Sequence, residues 1–233
     1  MMLEVVADRE ALAERAVDVI VEIANQSIDE RGIFTLAISG GSTPRRMLEV
    51  LAERPGVDWE RIHLFQVDER VAPDGDPDRN ATMLDEALLT ESFRSRHDVG
   101  GVWLMPVTDD DLDEAASDYA ATVDRIAGSP VVFDLVQLGL GSDGHTASLI
   151  PDDPILAVDD RDVATTEVYN GRRRLSLTWP ALDRAKHQLW VIAGEDKGPA
   201  LSQYLNADPA IPATLPTQAR ATVLVDEAAF SAT

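Results

Sequence analysis

Apolar residues follow two alternating rhythms along this chain, short continuous runs and three-to-four-residue spacings, and the alternation predicts strands and helices in turn. Leu3-Glu4-Val5-Val6 reads as a first strand. From Arg9 to Asp29, Leu12, Ala16, Val19, Ile20 and Ile23 mark one face of a helix, which Gly32 ends. A buried-strand run, residues 33–38, leads into the segment Ser39-Gly40-Gly41-Ser42-Thr43-Pro44. Met47, Leu48, Val50 and Leu51 then pattern a helix over 45–54, with Thr43 expected as its N-cap and Pro44 at its first position. A second core strand, 62–67, runs into Asp68-Glu69-Arg70, expected as a charged turn, and the Pro-, Asp- and Gly-rich stretch 72–79 reads as a loop. Asn80 is expected to cap a helix reaching Leu89. Residues 102–106 predict a short strand, and Asp109-Asp110-Asp111 leads a helix to Ile126, its acids suited to the helix dipole. Gly128-Ser129-Pro130 breaks that helix, and an apolar run from Asp134 then empties into a glycine-punctuated turn. Later strands are expected at 162–166, 174–178, 188–193 and 222–225, with helices opening at Thr178-Trp179-Pro180 and spanning 199–205.

Strands that are continuous apolar runs, each followed by a helix, indicate an α/β fold with a mostly parallel sheet flanked by helices on both faces. No repeat, low-complexity tract or composition break marks a linker, so residues 1–233 are expected to form a single α/β domain. Ligands of such sheets bind outside the carboxyl ends of the strands. Four polar loops fall at predicted strand ends: Ser39–Ser42, Asp68–Arg70, Ser142–His145 and Glu195–Lys197. Four loops in phase predict a site.

Composition narrows what that site does. The formal charge of -22 argues against a nucleic-acid partner, which requires a basic stripe. Lysine is nearly absent, leaving Lys186 and Lys197, and an acidic, lysine-poor surface points to high-salt adaptation. A GC-rich genome favouring Arg and Asp codons is the other reading. Cysteine is absent, which removes disulfides, thiolate metal sites and a cysteine nucleophile. The chain offers no membrane-length apolar segment and no signal-peptide pattern at its start, so a cytoplasmic location is expected. Monomer and homodimer both remain open.

Each polar loop has a bland reading beside the chemical one. The SGGSTP segment, Ser39 to Pro44, offers glycines for close backbone approach, hydroxyl donors and a helix N-terminus for an anion; it also reads as an ordinary capped turn. It lacks the lysine and spacing of a P-loop and the GxGxxG of a dinucleotide site. Arg70 can grip a phosphate bidentately, or close a salt bridge within its own turn beside Asp68. His145 can cap a helix or move a proton, and Asp143, two residues earlier, can orient its ring. There is no GxSxG elbow, no HExxH and no other metal-ligand spacing. Arg172-Arg173-Arg174 reads as a solvated patch or as the source of one arginine for the site. Lys197, a lysine kept at a strand end, counts towards function.

Together these segments resemble the 6-phosphogluconolactonase family. The resemblance runs in order through AISGGSTPRRMLEVLA, VDERVAP with Asn80 after it, LGLGSDGHTASLIP, RLSLTWPAL and AGEDK. It implies a Rossmann-like, sugar-phosphate isomerase/CoA-transferase-like fold and hydrolysis of 6-phospho-D-glucono-1,5-lactone to 6-phosphogluconate, in the oxidative branch of the pentose phosphate pathway, without metal or cofactor. By that resemblance the phosphate rests on Ser39, Gly40, Gly41, Ser42 and Thr43 near Asp68, aided by Arg70 and by Lys197 or Arg174. His145 is the general base on water and then protonates the departing ring oxygen. Two residues depart from the family pattern: Arg79 stands where serine is usual, and Ile150 where phenylalanine is commoner. Glucosamine-6-phosphate deaminases share the first loop and the DGH turn but usually carry a glutamate soon after the histidine. Here no acid follows His145 until Asp152, which favours the lactonase. A non-catalytic sugar-phosphate sensor is the remaining alternative, though the chain has no basic helix of the kind a DNA-binding regulator needs.

Overall fold

The computed structural model describes residues 1–233. Its order is β1 (Met2–Val6), α1 (Arg9–Arg31), β2 (Phe34–Ile38), α2 (Ser42–Glu53), β3 (Ile62–Gln66), β4 (Asp68–Arg70), α3 (Asn80–Ala87) and α4 (Glu91–Arg94). There follow β5 (Gly101–Trp103), α5 (Leu112–Ala127), β6 (Leu135–Leu138), β7 (Val163–Thr165), β8 (Arg174–Leu177) and α6 (Trp179–Asp183). The chain closes with β9 (His187–Ile192), α7 (Gly198–Leu205), β10 (Ala221–Asp226) and α8 (Glu227–Ser231).

Seven strands form a wholly parallel sheet in the order β1-β10-β9-β6-β2-β3-β5. The period-2 geometry of a strand divides its side chains between two apolar layers. Phe34, Leu36, Ile38, Ile62, Leu64, Leu189 and Val191 pack with α1 through α4 on one face. Ala37, Phe65, Val136, Leu138, Trp190, Ile192 and Val223 pack with α5 through α8 on the other. Burial on both faces explains why these strands appear in the sequence as unbroken apolar runs. Each fully buried Leu, Ile or Phe contributes about 1.5–3 kcal/mol relative to exposure. No helix is long and apolar enough to cross a membrane.

A second, antiparallel sheet of order β4-β8-β7 stands beyond the carboxyl ends of the first. It corrects the expectation of a charged turn at Asp68-Glu69-Arg70. Those residues are a strand, because β8 supplies their backbone partners: Asp68 faces Ser176, Glu69 faces Leu175 and Arg70 faces Arg174. The bond from Leu177 N–H to Val67 C=O (2.8 Å) ties this sheet to the end of β3.

Two caps also differ from expectation. Helix α2 begins at Ser42 with Gly41 as its N-cap, at φ 114°, so Thr43 lies inside the first turn rather than capping it. Pro44 then takes the third helical position, where its missing N–H has no intrahelical acceptor to lose. Helix α3 begins at Asn80 and ends at Ala87, and Asn80 does not cap it. The cap is the buried carboxylate of Glu69, which accepts from the N–H groups of Asn80 and Ala81, each at 2.8 Å. In α5 the capping side chain is Asp111, the last of the three aspartates.

Candidate active site

The strands β9, β6, β2 and β3 are neighbours in the sheet, so their four carboxyl-terminal loops lie side by side. After β2 the chain moves outward to β3, and after β6 it moves the opposite way to β9. The ends of β2 and β6 therefore flank the switch point of an α/β sheet, the position where such sheets bind ligands. A cavity opens there. It is lined by Ser39 to Pro44, Asp68, Arg70, Gly139 to Gly141, His145, Arg174 and Lys197, among others. Every residue expected from sequence reaches it except Asp143, which stands behind His145.

The loop after β2 presents backbone rather than side chain. Gly41 takes a positive φ that an L side chain rarely adopts, and α2 has neither a side-chain cap nor an acid in its first turn. The N–H groups of Gly40 and Gly41 donate to no protein acceptor. Free donors and a positive helix end suit an anion. Ser39 does not act as the free donor expected of it. Its hydroxyl donates to Gln137 C=O (2.9 Å) and its N–H to Gln137 Oε1 (3.2 Å), fastening β2 to β6.

The second sheet brings two guanidinium groups to the opposite wall. Arg70 and Arg174 are register partners across β4 and β8. Like charges directly opposite repel, so this pairing costs stability unless an anion lies between them. Neither arginine has a carboxylate partner in a chain where acids outnumber bases by 42 to 20. Arg174 is 7% exposed, and its Nε has no hydrogen-bond partner. Burial pushes its pKa down, Arg70 pushes the same way, and Asp68 opposes them. Asp68 is buried and accepts from Ser148 Oγ at 2.6 Å, and Arg174 Nη1 reaches that same hydroxyl at 3.4 Å. Arg70 is aimed by Asn80 Oδ1 and by Asp78 C=O (3.1 Å). Asn80 in turn donates to Asp68 C=O at 2.7 Å. Arg79 turns away from the cavity and pairs with Glu69 at 3.0 Å, so the departure at that position touches the support of the site rather than its lining. On the third wall, Lys197 lies 3.1 Å from Asp196.

The turn after β6 holds His145. Gly144 N–H bonds Gly141 C=O at 3.0 Å, and Gly141 N–H bonds His145 C=O at 2.8 Å. Within this closed turn, Asp143 Oδ1 stands 2.6 Å from His145 Nδ1. A carboxylate only accepts, so Nδ1 is the donor of this pair, which leaves Nε2 as the acceptor of a neutral ring. Burial acts to raise the pKa of Asp143, but the imidazole of His145 and the hydroxyl of Tyr169 outweigh it and hold the carboxyl below its ordinary range. Tyr169 Oη donates to Asp143 Oδ2 at 2.9 Å. Sequence reasoning did not single out Tyr169, Ser148 or Glu69. The Asn170-Gly171 pair beside Tyr169 is a hairpin signal that places this side chain at a tight turn.

Comparison with known proteins identifies the family to which this sequence and fold belong. The family described as glucosamine-6-phosphate isomerases/6-phosphogluconolactonase matches residues 7–225. A 6-phosphogluconolactonase of Synechocystis is 37% identical over 89% of this chain and 87% of its own length. The crystal structure of 6-phosphogluconolactonase from Thermotoga maritima superposes with a TM-score of 0.82 at 27% identity, covering 97% of this chain and 98% of that one. A monomeric glucosamine-6-phosphate deaminase also superposes with a TM-score of 0.82, covering 100% of each chain, but at 18% identity it shares the fold alone.

Proposed function

The chain belongs to the glucosamine-6-phosphate isomerase/6-phosphogluconolactonase family, and on that premise we propose that it hydrolyses 6-phospho-D-glucono-1,5-lactone to 6-phosphogluconate with His145 as general base. One observation carries the reading. The imidazole held by Asp143 at 2.6 Å opens onto the same cavity as the Arg70–Arg174 pair. The cavity thus offers a proton acceptor at one wall and anion donors at the others, as a phosphorylated lactone requires.

The phosphate occupies the anion-binding part of the cavity, formed by the Gly40–Thr43 backbone, Arg70 and Arg174, with Lys197 nearby. His145 Nε2 takes a proton from a water whose oxygen attacks the lactone carbonyl carbon. The resulting oxyanion is met by preorganised N–H donors of the glycine-bearing loops. When the intermediate collapses, the bond from the carbonyl carbon to the ring oxygen breaks. The proton on His145 passes to that oxygen, which becomes a hydroxyl of the open chain. Asp143 stabilises the transient imidazolium, and the new carboxylic acid releases a proton to solvent. No carboxyl group lies between His145 and Asp152 in the sequence, which supports water chemistry over amino-sugar ring opening.

Proton release after adding freshly generated lactone tests the assignment. His145→Ala is expected to lower kcat by about 10²–10⁴-fold while circular dichroism shows an intact fold. Near-full activity in that variant would overturn the role given to His145. Ammonia release from glucosamine 6-phosphate would instead support the deaminase reading.

A further inference from the structure

Tyr169 touches both halves of the site. It sits at the entry of a two-residue hairpin whose central residues, Asn170 and Gly171, have φ of 51° and 79°, the positive values that a type I′ turn requires. Backbone bonds from Tyr169 N–H to Arg172 C=O (3.0 Å) and from Arg172 N–H to Tyr169 C=O (3.3 Å) close the turn. The ring meets the His145 ring edge-on at 5.9 Å, and the Arg174 guanidinium lies over it at 5.1 Å. A cation over an aromatic face is attracted to it, so the arginine and the tyrosine hold each other in place. The hydroxyl donates to the oxygen of Asp143 that His145 does not use.

That arrangement has two consequences. A carboxylate can swing about its side-chain torsions, and a second anchor on Oδ2 keeps Oδ1 on Nδ1. The same donor also draws negative charge from the carboxylate, weakening its hold on an imidazolium. We propose that Tyr169 is a positioning residue of the site, whose hydroxyl locks the Asp143 carboxylate against His145 and sets the pH range in which His145 works as a base. The proposal rests on His145 being the general base. Asp143, Tyr169 and Arg174 are the titratable or charged groups around the imidazole, and Asp68, Arg70 and Lys197 line the same cavity. Burial and the adjacent Asp143 carboxylate both raise the Tyr169 pKa, so the hydroxyl remains a donor through neutral pH.

The sign of the effect follows. In Tyr169→Phe the His145 N–H and Nδ1 still bond Asp143 Oδ1. The looser carboxylate therefore shows as a lower plateau of kcat, while its undiminished charge holds the imidazolium more tightly and keeps His145 protonated to higher pH. In Tyr169→Phe, the acid limb of kcat/KM against pH is therefore expected to move upward by about half a unit to one unit. KM for the lactone should hold, because phenylalanine keeps the ring beneath Arg174. Tyr169→Ala removes the ring as well and should raise KM in addition. In an Asp143→Asn background, the Phe substitution should leave the profile unmoved. A Tyr169→Phe profile that superimposes on wild type would overturn the proposal, as would an equal shift in the Asp143→Asn background. Should His145→Ala remain active, the general-base reading fails; should it be inactive while the Phe profile is unmoved, only the role of Tyr169 fails.

Discussion

Glycine enters this site for two different physical reasons. At Gly41 the backbone is the reason, since φ of 114° leaves little room for a side chain of L configuration. At Gly40 and Gly141 it is a neighbouring side chain. A Cβ on Gly40 would overlap the Asn80 amide that aims Arg70. A Cβ on Gly141 would overlap the His145 ring and lie 2.5 Å from Asp143 Oδ1. Sequence reading assigned Gly40 and Gly41 to close approach of a ligand, and could not show that Asn80 fills the space at Gly40 or that Asp143 and His145 fill it at Gly141. Gly141→Ala therefore displaces the Asp143–His145 pair without touching the core. The variant is expected to fold, with a near-ultraviolet dichroism spectrum like that of wild type. A displacement of about 1 Å at such a pair costs about 10²-fold in rate, so proton-release assays should show a fall in kcat of that order.

At the scale of elements, α3 shows how a polar strand can support a site. Glu69 is fully buried and accepts from Gln66 Nε2 (2.7 Å), from the N–H groups of Arg70, Asn80 and Ala81, and pairs with Arg79. One carboxylate thereby fixes the start of α3, the course of β4 and the Asn80 side chain that aims Arg70. Removing a single partner from a buried ion pair leaves the other charge uncompensated, at a cost of about 3–5 kcal/mol. Glu69→Gln is expected to lose stability of that order in denaturant titration, and its remaining folded fraction should show a raised KM for the lactone. The parallel strands were legible in the sequence because burial on both faces makes them continuous apolar runs. β4 was not, because three charged residues resemble a turn until β8 is there to pair with them. The α3 cap was missed for a related reason: sequence propensity favours a local Asn80, whereas Glu69, eleven residues earlier, arrives only through tertiary structure. Asn170-Gly171 is a hairpin signal that the sequence reading left unused, and the contact of Tyr169 with Asp143 depends in any case on how the second sheet sits over β6.

For the molecule as a whole, the issue is how a chain with a formal charge of -22 keeps its fold and attracts an anionic substrate. The convergence of four loops was legible as a rule about strand ends. Their contiguity was not, because it depends on the strand order β9-β6-β2-β3. Many arginines are taken up by exposed pairs, such as Arg46 with Glu10 and Glu49, Arg54 with Glu14 and Asp18, and Arg161 with Asp160. Such pairs contribute little individually and weaken further with salt. The excess carboxylates repel one another over longer distances, and that repulsion is what salt relieves. Between about 0.01 M and about 1 M salt the screening length falls from about 30 Å to about 3 Å. Over that range the loss of net repulsion exceeds the loss of surface pairs, because acids outnumber bases roughly two to one. The melting temperature is therefore expected to rise steadily with potassium chloride, a salt chosen because sulfate would stabilise any protein by exclusion from its surface. A midpoint indifferent to chloride would assign the acidity to codon composition rather than to salt. Arg174, buried beside Asp68 and Arg70, is screened far less than the surface charges, so the anion site should retain its grip where the surface pairs have lost theirs.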